Sequence, residues 1–280
     1  MIVAKDVKKL KNILSQARKK IGFVPTMGAL HQGHLSLLKA AKRDCDFVIA
    51  SIFVNPLQFG PKEDYKKYPR KFKKDEKLLR NLEADVLFYP STKTMHLNDA
   101  STYVEEVALS KILCGKSRPR HFLGVCTVVA KLLNIVGPDI IYFGQKDYQQ
   151  AQVIKRMIRD LFFPVKVKVL PIKRERNGLA MSSRNAHLSL KERKDALCLY
   201  RALKAAKKLI ISGERNPKKV INRIQNLIKA KRTSKIDYIR IVDAEELDKL
   251  NRIKGKVLIA LAVYFGKTRL IDNIILNVKT

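Results

Sequence analysis

The sequence predicts an α/β fold in which a doubly wound parallel sheet is followed by a smaller C-terminal α+β domain. Short, nearly continuous apolar runs recur between residues 21 and 170, as in parallel strands covered on both faces. Segments of helical composition alternate with these runs and are joined to them by short loops. Beyond Pro171 two amphipathic segments precede β-rich sequence. A domain boundary is therefore expected near residue 173, between domains 1–173 and 174–280.

The elements of the first domain are expected in alternating order. Apolar residues at helical spacing predict an opening helix over residues 6–20. Further helices are expected over residues 35–41, 125–136 and 150–161. Another helical stretch is expected to end at residue 82. Apolar runs predict strands at 21–24, 46–56, 85–90, 139–144 and 165–170, with a short strand at 102–106.

The second domain is expected to contain helices over residues 191–211 and 217–231, then strands at 236–242, 256–264 and 268–276. The last two strands flank Gly266-Lys267-Thr268, which superficially resembles a phosphate-binding loop. That motif needs a second glycine five residues earlier, where this chain has Leu261. The sequence here predicts a hairpin turn.

Composition narrows the class of protein. The 280 residues include 58 Lys and Arg against 25 Asp and Glu, a formal charge of +33. Such a charge ordinarily favours nucleic acid, but the basic residues are spread over nearly every predicted helix, which is typical of solvated faces. No specific nucleic acid is expected. The four cysteines lack the paired spacing of metal or redox sites, which indicates a reduced, cytoplasmic protein. No apolar run is long enough to span a bilayer, so no membrane partner is expected.

The most informative stretch is residues 25–38, where a strand passes through a glycine-containing turn into a helix. A helix N-terminus beside glycines suits phosphate or another anion. His31 and His34 can face one ligand, either protonated or as neutral N–H donors. Two other interpretations stay open: half of a metal site whose third ligand is not apparent, or two histidines of an ordinary surface loop.

Polar residues follow other predicted strands as well. Asn55 and Gln58 come after the second strand, where open α/β sheets place ligands, although an ordinary loop explains them equally well. Lys146 and Asp147 follow the strand at 139–144, and there Lys146 could meet phosphate while Asp147 could hold a ribose hydroxyl or Mg²⁺. A basic loop with Arg118 precedes the helix expected at 125–136.

His-Gln-Gly-His, residues 31–34, resembles the signature of the nucleotidyltransferase superfamily, which includes class I aminoacyl-tRNA synthetases and small-molecule adenylate-forming ligases. Five motifs together narrow the resemblance to the pantothenate synthetase family. They cover residues 25–34, 53–59, 118–122, 143–150 and 178–185.

The resemblance implies a Rossmann-like N-terminal domain, a C-terminal domain that closes over ATP, and a homodimer. It implies that pantoate and β-alanine are joined with ATP through a pantoyl adenylate, with release of pyrophosphate and AMP, and that Mg²⁺ accompanies ATP. Both nucleophiles then belong to substrates, so the protein supplies positioning and charge stabilisation. This agrees with a sequence that has no Ser-His-Asp or Cys-His set.

The resemblance also implies roles for particular residues. His34, usually assigned as proton donor, His31, Lys146 and Arg184 are the expected catalytic residues. The expected ATP-binding residues are Met27, Gly28, Ala29, Leu30, His31, Gln32, Gly33, His34, Gly144, Gln145, Lys146, Asp147, Met181, Ser182, Ser183 and Arg184. The expected pantoate-binding or bordering residues are Asn55, Gln58, Arg118, His121 and Gln150.

Three departures from the family pattern are modest: Gln145 replaces Glu, Lys71 replaces Thr and Asn177 replaces Asp. None removes a group that the reaction needs. Two rival functions are an adenylate-forming enzyme with another substrate, including tRNA, and a nucleotide-binding protein without catalysis. The loop at 181–184 and the basic charge favour the first rival, but no anticodon-binding domain fits after residue 190.

Overall fold

The computed structural model describes residues 1–17, 19–61 and 63–279. They form two compact units, one of Met1–Lys111 with Arg118–Pro171 and the other of Ile112–Ser117 with Ile172–Thr280. The main division lies next to the boundary expected at residue 173. The second unit also takes residues 112–117, which the sequence analysis left in the first domain. The roles expected of the two domains stay predictions.

Nine strands and ten helices are found among the described residues. The strands are β1 (Ile2–Ala4), β2 (Ile21–Thr26), β3 (Phe47–Ile52), β4 (Val86–Phe88), β5 (Ile140–Gly144), β6 (Lys166–Leu170), β7 (Ser234–Asp243), β8 (Gly255–Phe265) and β9 (Thr268–Val278). The helices are α1 (Val7–Ser15), α2 (Gln32–Asp44), α3 (Phe72–Asn81), α4 (Thr92–Met95), α5 (Cys114–Ser117), α6 (His121–Val136), α7 (Tyr148–Asp160), α8 (Leu190–Ala196), α9 (Cys198–Ile211) and α10 (Pro217–Lys229).

The first unit is built on a six-stranded sheet in the order β1-β4-β3-β2-β5-β6, with every pairing parallel. The order reverses beside β2, because the chain moves outward to β3 on one side and later returns to β5 on the other. Helices flank this sheet, and residues 48–52 of β3 are completely or almost completely buried. The predicted parallel α/β fold is confirmed.

Helix α6 lies deep in the first unit. Its sixteen residues are mostly apolar, and twelve of them are buried, because the helix has no wide polar face to turn towards solvent. It ends at Gly137, whose positive φ of 58° closes the last turn. No helix in the described ranges is long and apolar enough to cross a membrane.

The second unit contains the antiparallel sheet β7-β8-β9. Its core combines apolar residues of α9 and α10 with those of the three strands. Phe265 pairs with Thr268 across a two-residue turn in which Gly266 has a φ of 56°. The predicted hairpin is confirmed at this position.

Three secondary-structure predictions need correction, and one strand was not predicted. The strand expected at 102–106 is absent, because the backbone of Val104 bonds the hydroxyl of Thr127 instead of a neighbouring strand. Strand β1 was missed, since three residues are too few to show a period. The helix expected over 191–211 is two helices, α8 and α9, that meet at Leu197. The helix expected over 6–20 ends at Ser15, and residue 18 of that span lies outside the described residues.

Candidate active site

Three groups of predicted site residues in the first unit lie just beyond the carboxyl ends of β3, β2 and β5, which are neighbours in the sheet. Residues 27–34 follow β2, Asn55 and Gln58 follow β3, and residues 145–147 follow Gly144 at the end of β5. This is the point where the strand order reverses, and open α/β sheets bind ligands at such points. The topology therefore brings three of the predicted motifs to one edge.

A buried carboxylate holds the turn after β2. Asp75 of α3 is 2% exposed and accepts the backbone N–H groups of Ala29 and Leu30, each at 2.8 Å. Gly28 and Ala29 both have positive φ, of 81° and 50°. A Cβ on Gly28 would lie 3.0 Å from the side chain of Ile52, so glycine is needed there. The sequence analysis missed Asp75, because nothing in the sequence distinguishes it from Glu76 beside it among the lysines that begin α3.

His31 and His34 together cap the N-terminus of α2. The Nδ1 of His31 accepts the N–H of Gly33 at 3.1 Å, and the Nδ1 of His34 accepts the N–H of His31 at 3.4 Å. The two rings stack with their centroids 4.1 Å apart. Because each Nδ1 accepts a backbone proton, the neutral ring carries its own proton on Nε2. Both histidines thus keep an Nε2–H group that can donate to a ligand.

Burial keeps these rings neutral. Burial, and after it the nearby charge of Lys146, lower the pKa of His31 to about 4. Burial, then His31 and then Lys146, lower the pKa of His34 well below the ordinary value. Of the two states considered from the sequence, the structure favours the neutral N–H donor. The positive charge beside the rings belongs to Lys146, whose Nζ lies 3.6 Å from a carboxylate oxygen of Asp147.

The buried histidines predict a fall in stability on acidification. Burial also lowers the pKa of His121 to about 4 and lowers that of His96. Below pH 6.5 the unfolded chain takes up more protons at these four rings than the folded chain does, so the stability they contribute is present above pH 6.5 and is lost as the pH falls below it. His121 alone contributes about 2 kcal/mol of this loss between pH 6.5 and 5. Urea unfolding at pH 7 and at pH 5 measures the difference, and equal free energies of unfolding would contradict the account.

Arg118 and His121 converge on the backbone of Gln58. The Nδ1 of His121 donates to the Gln58 carbonyl at 2.8 Å, and its Nε2 accepts from the Arg118 guanidinium at 3.0 Å. Arg118 also pairs with both carboxylate oxygens of Glu63, each at 2.6 Å. These contacts fix the backbone on which the Gln58 side chain is mounted. Glu63 was not identified from the sequence.

Gly124 lets α6 approach this same backbone. A Cβ there would lie 2.4 Å from the carbonyl carbon and oxygen of Leu57 and 2.6 Å from the nitrogen of Gln58. These atoms are main chain and cannot rotate away. The close approach also places the Gly124 carbonyl 2.9 Å from Nδ2 of Asn55. Gly124 is a second residue that sequence reasoning missed, since a glycine in an apolar helix carries little signal.

We expect Gly124→Ala to lower the free energy of unfolding by about 3 kcal/mol, because the new methyl group overlaps backbone atoms. The better helix propensity of alanine, about 1 kcal/mol, does not offset this. Gly144→Ala is the matched control, since its Cβ would meet nothing within 4 Å. Thermal or urea unfolding of both variants checks the expectation. A Gly124→Ala variant as stable as its parent would contradict the close contact of α6 with residues 57–58.

The remaining predicted residues, 181–184, belong to the second unit. Ser182 caps a short 3-10 turn by accepting the N–H of Arg184 at 3.3 Å. Arg174 and Asp272 form a buried bidentate ion pair at 2.6 and 2.9 Å, and the Arg174 guanidinium lies 4.0 Å above the Tyr200 ring. The backbone of Arg174 also pairs with that of Ala180 in an isolated antiparallel bridge. The ion pair therefore anchors the segment of chain that leads into residues 181–184.

Gln32 and Gln150 are also among the predicted site residues. Gln32, the first residue of α2, is exposed, and Gln150 lies half-buried in the first turn of α7.

Among the described ranges, no group of three or more His, Cys, Asp or Glu side chains could hold a metal ion.

Comparisons with known proteins agree with this geometry. The family model described as pantoate-beta-alanine ligase matches residues 2–275. A pantothenate synthetase of Thermotoga neapolitana is 53% identical over 272 residues, 97% of each chain, and one of Caldicellulosiruptor saccharolyticus is 52% identical over 99% of this chain and 100% of its own.

Solved structures give the same result. A pantothenate synthetase from Thermus thermophilus superposes with a TM-score of 0.95 at 44% identity, over 98% of this chain and 99% of that one. A pantoate-beta-alanine ligase from Francisella tularensis, complexed with beta-gamma ATP and beta-alanine, has a TM-score of 0.80 at 40% identity, over 98% and 97%. On sequence and structure together, the chain belongs to the pantoate-beta-alanine ligase family.

Proposed function

We propose that the chain condenses D-pantoate with β-alanine at the expense of ATP. The carboxylate of pantoate attacks the α-phosphorus and pyrophosphate leaves, giving pantoyl adenylate. The amine of β-alanine then attacks the acyl carbon, AMP leaves and the nitrogen loses a proton. The observation that carries the proposal is the convergence of two Nε2–H donors and Lys146 at the reversal point of the sheet, in a chain of this family.

The residues act by placing substrates and by meeting charge that develops on phosphate oxygens. His31, His34 and Lys146 donate to the phosphates of ATP, and a neutral histidine does so without proton transfer, as a preorganised donor. Residues 27–34 and 144–147 line the ATP site. Met181, Ser182, Ser183 and Arg184 supply the phosphate-binding loop of the second unit.

Pantoate is proposed to contact Gln58 and Gln150. Asn55, which is 1% exposed and has both side-chain polar atoms bonded within the protein, is proposed to hold Gln58 in place. Arg118 and His121, expected from the resemblance to border the same site, act here through the Gln58 backbone that they hold. Both are already engaged, Arg118 with Glu63 and His121 with Gln58. Their contribution to pantoate binding is therefore proposed to be positional.

Mg²⁺ is proposed to accompany ATP. The donor set fits a metal held largely by substrate, since Mg²⁺ commonly takes one or two carboxylates plus phosphate oxygens and water. Asp147 offers a half-exposed carboxylate beside Lys146 and is the candidate ligand. When bound, the ion supplies positive charge to the leaving pyrophosphate.

Asp75→Asn is expected to raise the KM for ATP and to lower the free energy of unfolding by about 1–3 kcal/mol. An amide has one acceptor oxygen, so one of the two N–H groups of Ala29 and Leu30 would face an NH₂ group. The neighbouring variant Glu76→Gln is the control, because Glu76 pairs with Arg80 on the helix surface, where an ion pair contributes little to stability. Steady-state kinetics and thermal unfolding measure both effects. Equal behaviour of the two variants would show that Asp75 does not position the turn.

The proposed function is tested by AMP release from ATP with both substrates, and then with each omitted. AMP is expected only when D-pantoate and β-alanine are both present. Release that does not depend on pantoate would overturn the proposal and would make other carboxylates and tRNA the next substrates to try. Release with pantoate and another amine, but not with β-alanine, would change the second substrate alone.

We further propose a homodimer, as the family resemblance implies. Phe162 is 89% exposed and Leu161 51% exposed at the end of α7, and a partner that covered these two adjacent apolar side chains would remove them from water. Light scattering on the purified protein is expected to give twice the chain mass of 32.0 kDa. A mass of 32.0 kDa across the working concentration range would contradict it.

We also propose that the protein acts in the cytoplasm. All four cysteines are buried with free thiols, which suits a reducing compartment. Neither a membrane nor a specific nucleic acid is proposed as a partner. Cell fractionation with an antibody to the native protein tests the location, and recovery with the membrane fraction would contradict it.

A further inference from the structure

The side-chain amide of Asn55 has a single possible orientation. Asn55 is 1% exposed. Its Oδ1 accepts the backbone N–H of Leu57 at 3.3 Å, while its Nδ2 donates to the backbone carbonyl of Gly124 at 2.9 Å. A backbone N–H can only donate and a carbonyl can only accept. The exchange of oxygen and nitrogen that often leaves amides ambiguous is excluded here.

The orientation of Asn55 determines that of Gln58. Nδ2 of Asn55 also donates to Oε1 of Gln58, at 3.2 Å. The Gln58 oxygen therefore faces Asn55, and its NH₂ group lies on the other side, where it donates to Sδ of Met27 at 3.0 Å. A thioether is a weak acceptor. An oxygen atom of a substrate can replace it as the better partner.

His96 completes this chain of hydrogen bonds. It lies at the end of α4, half-buried, and its Nε2 is 2.9 Å from Oδ1 of Asn55. Because Oδ1 only accepts, the histidine must carry its proton on Nε2. Burial, then Lys131, lower the pKa of His96, which leaves the ring neutral near pH 7. The ring also packs against Phe53, with centroids 5.8 Å apart.

We propose that His96 is a positioning residue for pantoate recognition. It holds Asn55 through the Nε2–H donor, and Asn55 in turn directs the Gln58 NH₂ group towards an acceptor oxygen of pantoate. The inference rests on the proposed function, since it assigns the orientation of a group at the same site. His96 acts through Asn55 rather than by contact with substrate.

The test compares His96→Met with His96→Gln in the full chain. The two replacements have similar length, but only glutamine can donate a hydrogen bond from a position like that of Nε2. We expect His96→Met to raise the KM for pantoate about five- to tenfold, the loss typical of one hydrogen bond, with the KM for ATP unchanged. His96→Gln is expected to stay within about twofold of the parent. Both should fold, because His96 is half-buried at the end of a short helix.

The outcomes separate this inference from the proposed function. A parent chain without pantoate-dependent AMP release overturns both. An active parent with an unchanged pantoate KM in His96→Met overturns the inference alone. A rise in the KM for ATP equal to that for pantoate, or equal changes in both variants with a lowered melting temperature, would indicate a general structural role and would also overturn it.

Discussion

Lys146→Ala is expected to lower kcat/KM for ATP by about 10²–10³-fold, which is about 2.7–4 kcal/mol of transition-state stabilisation. Lys146 supplies the positive charge beside two neutral histidines, close enough that it depresses the pKa of both rings. Phosphate oxygens gain charge as pyrophosphate leaves, so the loss should fall on kcat as well as on KM. Steady-state kinetics with saturating pantoate and β-alanine measures it.

Lys168→Ala is the matched control for that experiment. Lys168 lies on the neighbouring strand β6 and pairs with Asp44 at 2.7 Å in an exposed position. Surface pairs contribute at most about 1 kcal/mol to stability, and this one belongs to no predicted motif. Parent-like turnover in Lys146→Ala, or an equal loss in both variants, would overturn the role given to Lys146.

His34→Ala is expected to produce a loss of similar size, about 2.7–4 kcal/mol, because it removes one preorganised donor. The same change deprives the N–H of His31 of its acceptor, so it also loosens the first turn of α2. His34→Gln separates the two effects: glutamine can present a donor near the position of Nε2, and a partial recovery of kcat is expected.

The His34 variants are compared by kcat at saturating ATP and by circular dichroism. A His34→Ala enzyme with near-parent kcat would contradict the donor role. A variant with lost helicity but normal kcat would assign His34 to capping alone. The pKa of His34 lies well below its ordinary value, so we expect the parent kcat to show no separate decrease that follows histidine protonation near pH 6.5.

The parallel sheet could be predicted because its strands are buried on both faces and therefore appear as apolar runs. Strand β1 has only three residues at the sheet edge, so no pattern marks it. Residues 102–106 show the converse. Their composition is typical of a strand, but the backbone N–H of Val104 donates to the hydroxyl of Thr127 instead of to a neighbouring strand. Local sequence does not contain the partner that decides such cases.

The residues of the candidate site also fall into two groups, those that the sequence reveals and those that only the structure reveals. The histidines, Asn55, Gln58 and Lys146 carry polar groups just after predicted strands, so their position and chemistry can both be read from the sequence. The groups that hold them are distant in the chain. Asp75 bonds a turn more than forty residues earlier, and Gly124 matters only because another backbone passes within 2.4 Å of its absent Cβ. Only the folded structure pairs these residues with the motifs they support.

The proposed attack of pantoate on the α-phosphorus is tested most directly with D-pantoate carrying ¹⁸O in both carboxylate oxygens. If the carboxylate attacks that phosphorus and β-alanine then displaces AMP, one ¹⁸O atom is transferred to each AMP molecule, and mass spectrometry will find it there. Unlabelled AMP, or ADP with the label in inorganic phosphate, would contradict the account, because the carboxylate would then not have reacted at the α-phosphorus.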